Sequence, residues 1–264
     1  MKNFFKNQTA VAILFGALII ALGIIGYALI NKDSNSGSGS KKDVLDSIMN
    51  GDKIFQGADF KDKEYILGNS KNDVTVVVYS DFECPFCKML HENAILQLQE
   101  KYSTDSKDIS KAKIGIVYRH FAQSYHEKAP METNAALCSR ELYGQNVYAN
   151  FIDRLYNLNP VDGTFDLATL PDITEYAVKL AKEKNQSVKK DFDKSEFTKC
   201  LSSETYNSEF LENMQDAVIA GLEGTPYSVI TYKDGNDQTI IAKVSGAKDA
   251  SYYEKIIDKL LSIK

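Results

Sequence analysis

Cys84, Pro85, Phe86 and Cys87 form a C-x-x-C segment between two contrasting stretches. A β-type run, Val74 to Ser80, precedes it, and helical periodicity from Lys88 to about Tyr102 follows it. Two cysteines at a strand-to-helix turn make a dithiol that can close into a small disulfide ring. The first sulfur falls at a helix N-terminus, where orphan N–H groups and the helix dipole favour the thiolate, the form that attacks disulfides. Cys84 is therefore the candidate nucleophile and Cys87 the candidate resolving thiol. Pro85 suits the first helical position, where its missing N–H has no partner to lose. Spacing puts Cys87, Leu90, Ala94 and Leu98 on one face and Cys84, Lys88 and His91 on another. Cys87 is expected to be buried, Cys84 exposed and His91 on the surface. A zinc site needs a second ligand pair, but Cys138 and Cys200 form no C-x-x-C and the three histidines are scattered. No metal is expected, and thiol–disulfide exchange requires no bound cofactor.

All four cysteines follow the apolar N-terminal run, and their even number suits an oxidising compartment. Cys138 and Cys200 fall in helical stretches and are expected to form a structural disulfide. Two free buried thiols, or a shuttle pair serving Cys84 and Cys87, are the alternatives. Asp81 and Glu83 flank the dithiol and read as solvated turn carboxylates, or as an aid to proton transfer from Cys87. Lys88 lies one helical turn from Cys84, placed either to favour its thiolate or simply to be solvated. Phe82, Phe86 and Tyr227 are candidates for an apolar groove. His120 and His126 have no evident partner.

The surrounding pattern is α/β. Val74–Ser80 is expected to be a strand buried on both faces, and Ile114–Arg119 a second. With the helix between them they predict a parallel βαβ unit. Tyr65-Ile66-Leu67 predicts a short strand closed by Gly68-Asn69. From about Glu127 to Leu222 the pattern is helical, with pieces near Glu132–Leu142, Asn146–Leu155, Leu170–Lys184, Val188–Leu201 and Ser208–Leu222. Two strands follow Gly224-Thr225-Pro226, at Tyr227–Tyr232 and Thr239–Val244, joined by a turn with the Asp-Gly hairpin signal. An amphipathic helix at Ala250–Leu261 closes the chain.

Ala10 to Ile30 is uncharged and 21 residues long, enough to span a bilayer as a helix. Lys2 and Lys6 precede it, so the expected topology keeps the N-terminus cytoplasmic and the rest outside. A cleaved signal peptide, with Gly26-Tyr27-Ala28 as its small-x-small site, is the competing reading. The expected organisation is an anchor or signal peptide at 1–31, a linker at 32–62 that includes the flexible Ser34–Ser40 tether, and one folded domain at 63–264 with a helical insertion at about 123–222. Residues 1–41 hold four lysines and one aspartate of a chain at net -5, leaving the remainder at -8. An acidic domain without a Lys/Arg run argues against nucleic acid as a partner.

Three segments carry a family resemblance: Tyr79-Ser80-Asp81-Phe82-Glu83-Cys84-Pro85-Phe86-Cys87-Lys88, then Val117-Tyr118-Arg119-His120-Phe121, then Gly224-Thr225-Pro226 before a strand. In this order they resemble the DsbA-like thiol:disulfide oxidoreductases over about Ile66 to Leu261. The resemblance implies a thioredoxin fold with an inserted helical domain. It implies that Cys84 forms a mixed disulfide with a substrate, which Cys87 resolves. It makes Thr225-Pro226 a cis-proline loop facing the dithiol, where the Thr225 backbone would pair with an extended substrate segment. The residues alone read equally as a trans-proline opening a strand. Pro85 and Phe86 would share that substrate-facing surface. Implied partners are reduced exported proteins and a membrane reoxidant of the DsbB or vitamin-K-epoxide-reductase type; a monomer is expected. The strongest oxidants of the family carry histidine where this chain has Phe86, so a weaker oxidant is expected. Reductase and isomerase are rival roles. Isomerases of this superfamily are usually dimerised by an N-terminal domain, for which the roughly 35 residues between anchor and first strand are too few. A redox-inert chaperone or peptide-binding module is disfavoured by the joint presence of the dithiol and Thr225-Pro226.

Overall fold

The computed structural model describes residues 62–105, 108–159, 164–203, 205–234 and 237–263. The expected anchor and all but the last residue of the linker lie outside the described residues. Among those described, no helix is long and apolar enough to cross a membrane.

Five strands form one sheet. They are β1 (Tyr65–Leu67), β2 (Val74–Ser80), β3 (Gly115–His120), β4 (Tyr227–Asp234) and β5 (Asp237–Ser245), in the order β1-β3-β2-β4-β5. β2 is the central strand, parallel to β3 and antiparallel to β4, and every residue in it is buried. Its β-branched run suits this position because both faces are covered. Val74, Val76 and Val78 face a core shared with Cys87, Leu90 and Leu98. Val77 and Tyr79 face the other side, against Ala217, Ala220, Tyr227 and Val229. β4 and β5 form the expected hairpin, longer than its apolar core suggested because pairing continues to Asp234 and Asp237.

The helix after β2, α1, is continuous but not uniform: Pro85–Leu90 and Leu96–Tyr102 are α-helical and His91–Ile95 between them is a π-helical turn. The final helix α7 (Ala250–Leu261) packs against it, with Tyr102 donating to Asp258 at 2.6 Å. Between β3 and β4 the chain forms α2 (Ala129–Tyr143), α3 (Gln145–Leu158), α4 (Leu170–Glu183), α5 (Lys194–Ser202) and α6 (Asn207–Ile219). α5 starts later than the periodicity suggested because Asp193 caps it, accepting the Glu196 N–H at 2.9 Å. Gly144, at φ 103°, makes the turn between α2 and α3 that an L side chain resists. α6 returns to the sheet, where Arg119 of β3 reaches Asn213 and Glu64. β2 and β3 end together, with Ser80 level with His120 and the Phe121 N–H donating to the Ser80 carbonyl at 2.9 Å. The dithiol leaves the sheet at this edge.

Candidate active site

Cys84 is the N-cap of α1 in extended conformation. Its N–H donates to the Asp81 carbonyl at 3.1 Å, and its own carbonyl accepts the N–H groups of Cys87 and Lys88. Both cysteines carry free sulfurs. The Cys84 Sγ lies 3.5 Å from the Thr225 carbonyl oxygen, and the Thr225–Pro226 peptide is cis. Sequence positions 141 apart therefore meet at one sulfur. Cys87 is 1% exposed and accepts the Asp81 N–H at 3.4 Å. Cys84 was expected to be exposed; it is only 6% exposed, because the loop carrying Thr225 covers it, a contact that helical spacing cannot register.

The two thiols are driven apart. A hydrogen bond from the Cys87 thiol is the main reason the Cys84 thiol falls from 9.0 to about 6. Thr225 and the N–H groups of Cys87 and Phe86 act in the same direction, against burial. Burial first, then the hydrogen bond and charge of Cys84, push the Cys87 thiol well above its ordinary value. Cys84 is thus the thiolate and Cys87 the stored thiol.

The carboxylates beside the dithiol are not solvated. Asp81 is fully buried, accepting from Glu83 N–H, Gln123 N–H and His126 Nδ1. Burial raises its carboxyl, and these donors pull it back. The Glu83 carboxylate accepts the N–H groups of Lys128 and Ala129, so the active-site turn supplies the N-terminal cap of α2. Behind them lies Glu132 of α2, pushed up to about 8 by burial, then by the charges of Glu83 and Asp81. Asn159 donates to both Glu132 and the Phe82 carbonyl.

The histidines also find partners. His91 is buried, not on the surface: Nδ1 is 2.8 Å from the Tyr118 hydroxyl and Nε2 3.4 Å from Asp153. In an ideal helix it stands about 40° from Cys87 and about 20° from Cys84, too near to both for spacing to assign it a face. His120 contacts the Tyr148 hydroxyl at 2.8 Å, and burial holds it neutral, at about 3. Phe82 and Tyr227 belong to the core rather than to a groove: Phe82 stacks on His120, and Tyr227 donates to the Ala220 carbonyl. Phe86, 57% exposed, shares the surface with exposed Pro85 and Met89. Lys88 reaches toward Glu92 at 3.9 Å and is not among the main causes of the Cys84 shift. Far from the dithiol in sequence, Cys138 of α2 and Cys200 of α5 are joined by a disulfide.

A family model described as Thioredoxin matches residues 61–258. The chain belongs to this thioredoxin family. Its fold is also that of solved DsbA-type proteins. Wolbachia pipientis alpha-DsbA1 is 23% identical with a TM-score of 0.54, over 74% of this chain and 89% of that one. Oxidised BdbD from Bacillus subtilis is 18% identical with a TM-score of 0.57, over 80% and 99%. Chlamydia trachomatis DsbA is 10% identical with a TM-score of 0.54, over 78% and 95%. No curated protein matches the chain. The thioredoxin-like α/β fold with a helical insertion follows from these similarities and from the strand order.

Proposed function

We propose that this protein is a membrane-tethered, extracytoplasmic thiol:disulfide oxidoreductase that forms disulfides in exported proteins. The observation that carries the reading is the polarised dithiol facing a cis-proline loop: a Cys84 thiol held down to about 6 beside a Cys87 thiol held up. In the oxidised enzyme a substrate thiolate attacks the Cys84 sulfur. The Cys84–Cys87 bond breaks as the mixed disulfide forms, and the electron pair leaves on Cys87, which takes a proton. A second substrate thiolate then attacks the substrate's own sulfur in the mixed disulfide. Cys84 departs as thiolate, and its low pKa makes it a fast leaving group. Two electrons pass from substrate to enzyme. A quinone-linked membrane partner of the DsbB or vitamin-K-epoxide-reductase type would remove them. The Thr225 main chain beside Cys84 supports pairing with an extended substrate, and Phe86 and Met89 offer apolar contact to an unfolded one. The uncharged run Ala10–Ile30 supports the tether.

The deciding experiment is the reduction potential of Cys84–Cys87 against a glutathione series. A value well above the thioredoxin reference of about -270 mV supports an oxidase. A value at or below it makes the dithiol the working form and the protein a reductase. Cys84→Ser abolishes exchange in either role, whereas a redox-inert binding module keeps its function.

A further inference from the structure

Asp81 touches both cysteines through its main chain. Its N–H donates to the Cys87 Sγ at 3.4 Å, and its carbonyl accepts the Cys84 N–H at 3.1 Å. Whatever fixes the Asp81 side chain therefore fixes the peptide groups that meet both sulfur-bearing residues. That side chain is fully buried. Oδ1 accepts the Glu83 N–H at 3.0 Å, and Oδ2 accepts the Gln123 N–H and His126 Nδ1, each at 2.7 Å. Two of these three donors are main-chain groups; His126 is the side-chain donor. It lies in the β3–α2 connection, where its own N–H donates to the Gln123 carbonyl at 2.9 Å, so one turn presents both Oδ2 donors. The Tyr125 ring packs edge-on against the imidazole at 4.4 Å. A buried carboxylate is tolerated only with such donors around it.

We propose that Asp81 and His126 form a positioning dyad for the dithiol. The imidazole holds the Asp81 carboxylate, and thereby keeps the Asp81 N–H aimed at the sulfur of Cys87. The inference rests on the oxidoreductase reading. When a substrate thiolate opens the Cys84–Cys87 bond, the electron pair lands on a sulfur with almost no access to water. The Asp81 N–H is a donor already in place for that charge, and donors fixed in advance stabilise a developing anion without reorganisation. The same N–H draws the Cys87 thiol downward, against its burial.

The test is the rate at which reduced glutathione opens the Cys84–Cys87 disulfide of the full-length protein, with the reduction potential and the melting temperature measured alongside. H126A is expected to slow opening about tenfold and to shift the potential. H126N, whose amide nitrogen falls where Nδ1 stands, is expected to restore the rate to within about threefold of wild type. D81N is expected to be as slow as H126A, and D81N/H126A no slower than D81N alone, because the two residues act as one unit. Opening by H126A within about twofold of wild type overturns the dyad, as does an H126N rate no better than that of H126A. If H126A does not fold, the comparison of D81N with H126N decides: a slow D81N beside a near-normal H126N supports the dyad, and equal rates overturn it. A wild-type disulfide that glutathione does not open sinks the oxidoreductase reading itself, and the dyad with it.

Discussion

Lowering the pH through the Cys84 titration should strip stability from the reduced protein and leave the oxidised protein unaffected by that group. The Cys84 thiol is held down to about 6 against 9.0, chiefly by the Cys87 thiol. A group depressed on folding confers stability that is complete above its unfolded value and disappears as the pH falls through its folded value. Linkage gives about 0.2 kcal/mol at about pH 5.5, about 1.4 kcal/mol at about pH 7 and about 2 kcal/mol at about pH 7.5. Cys87, pushed upward, remains protonated in folded and unfolded chains alike over this range, so it is silent. The oxidised form has neither thiol, while most other titrating groups, Asp81 and Glu132 among them, are common to both forms. Urea unfolding of reduced and oxidised protein at matched pH therefore isolates Cys84. The reduced-minus-oxidised difference should rise by about 2 kcal/mol between about pH 5.5 and about pH 7.5. Thiolate ultraviolet absorbance should show the same midpoint near 6. The thiolate stabilisation at neutral pH corresponds to about 30 mV toward the oxidising side. A difference flat to within about 0.5 kcal/mol, or a thiolate midpoint above about 8, would refute the polarised dithiol.

Three further outcomes are expected. Cys138→Ala/Cys200→Ala opens a link between positions 62 residues apart, which chain entropy sets at about 4 kcal/mol of stability; urea unfolding should show that loss with exchange turnover intact, and lost turnover at normal stability would make the pair a shuttle. Phe86→His places a titratable cation at an exposed position beside the thiolate and should lower the Cys84 thiol by up to about one unit while raising the reduction potential. Glu132 is raised from 4.5 to about 8, so the stability tied to its neutral form is complete below 4.5 and is lost as the pH rises through 8. Glu132→Gln should remove that loss and stabilise by up to about 3 kcal/mol at neutral pH and by little at about pH 4.5. Equal stability of Glu132→Gln and wild type at both pH values would mean that Glu132 is ionised in the folded protein.

Legibility in the sequence followed the range of the interactions. The β-branched run of β2 and the start of α1 at Pro85 depend on neighbours a few residues away, and both were readable. So was the parallel β2–β3 pair, because a strand, a helix and a strand leave few alternatives. The α5 boundary slipped because a single cap at Asp193 outweighed an apolar pattern that continued before it. Thr225 over Cys84 was expected only through the family resemblance. The contacts that could not be read were those of polar residues placed by the tertiary fold: His126 on Asp81, Glu83 on α2, and His91 against Tyr118 and Asp153. Each is a polar residue with a partner at least 27 positions away, and polarity alone reads as surface. Asp81 and Glu83 carried one signal, their adjacency to the dithiol, but nothing in their spacing separates a solvated carboxylate from a buried one.

The same contrast explains how this chain tolerates Phe86. A histidine there would contribute a cation to the thiolate, and Lys88, the nearest candidate replacement, turns toward Glu92. The groups that lower the Cys84 thiol are instead the Cys87 thiol, Thr225 and two N–H groups of the first helical turn. None of these is a formal positive charge, so the effect comes from short-range hydrogen bonds that added salt screens weakly. A thiolate stabilised in this way should keep its midpoint near 6 as ionic strength rises, whereas one stabilised by an exposed cation would drift upward. Titrating the thiolate absorbance at low and high salt in wild type and in Phe86→His separates the two mechanisms. A salt-sensitive wild type would place a long-range charge, not the hydrogen bonds at the N-terminus of α1, at the origin of the shift.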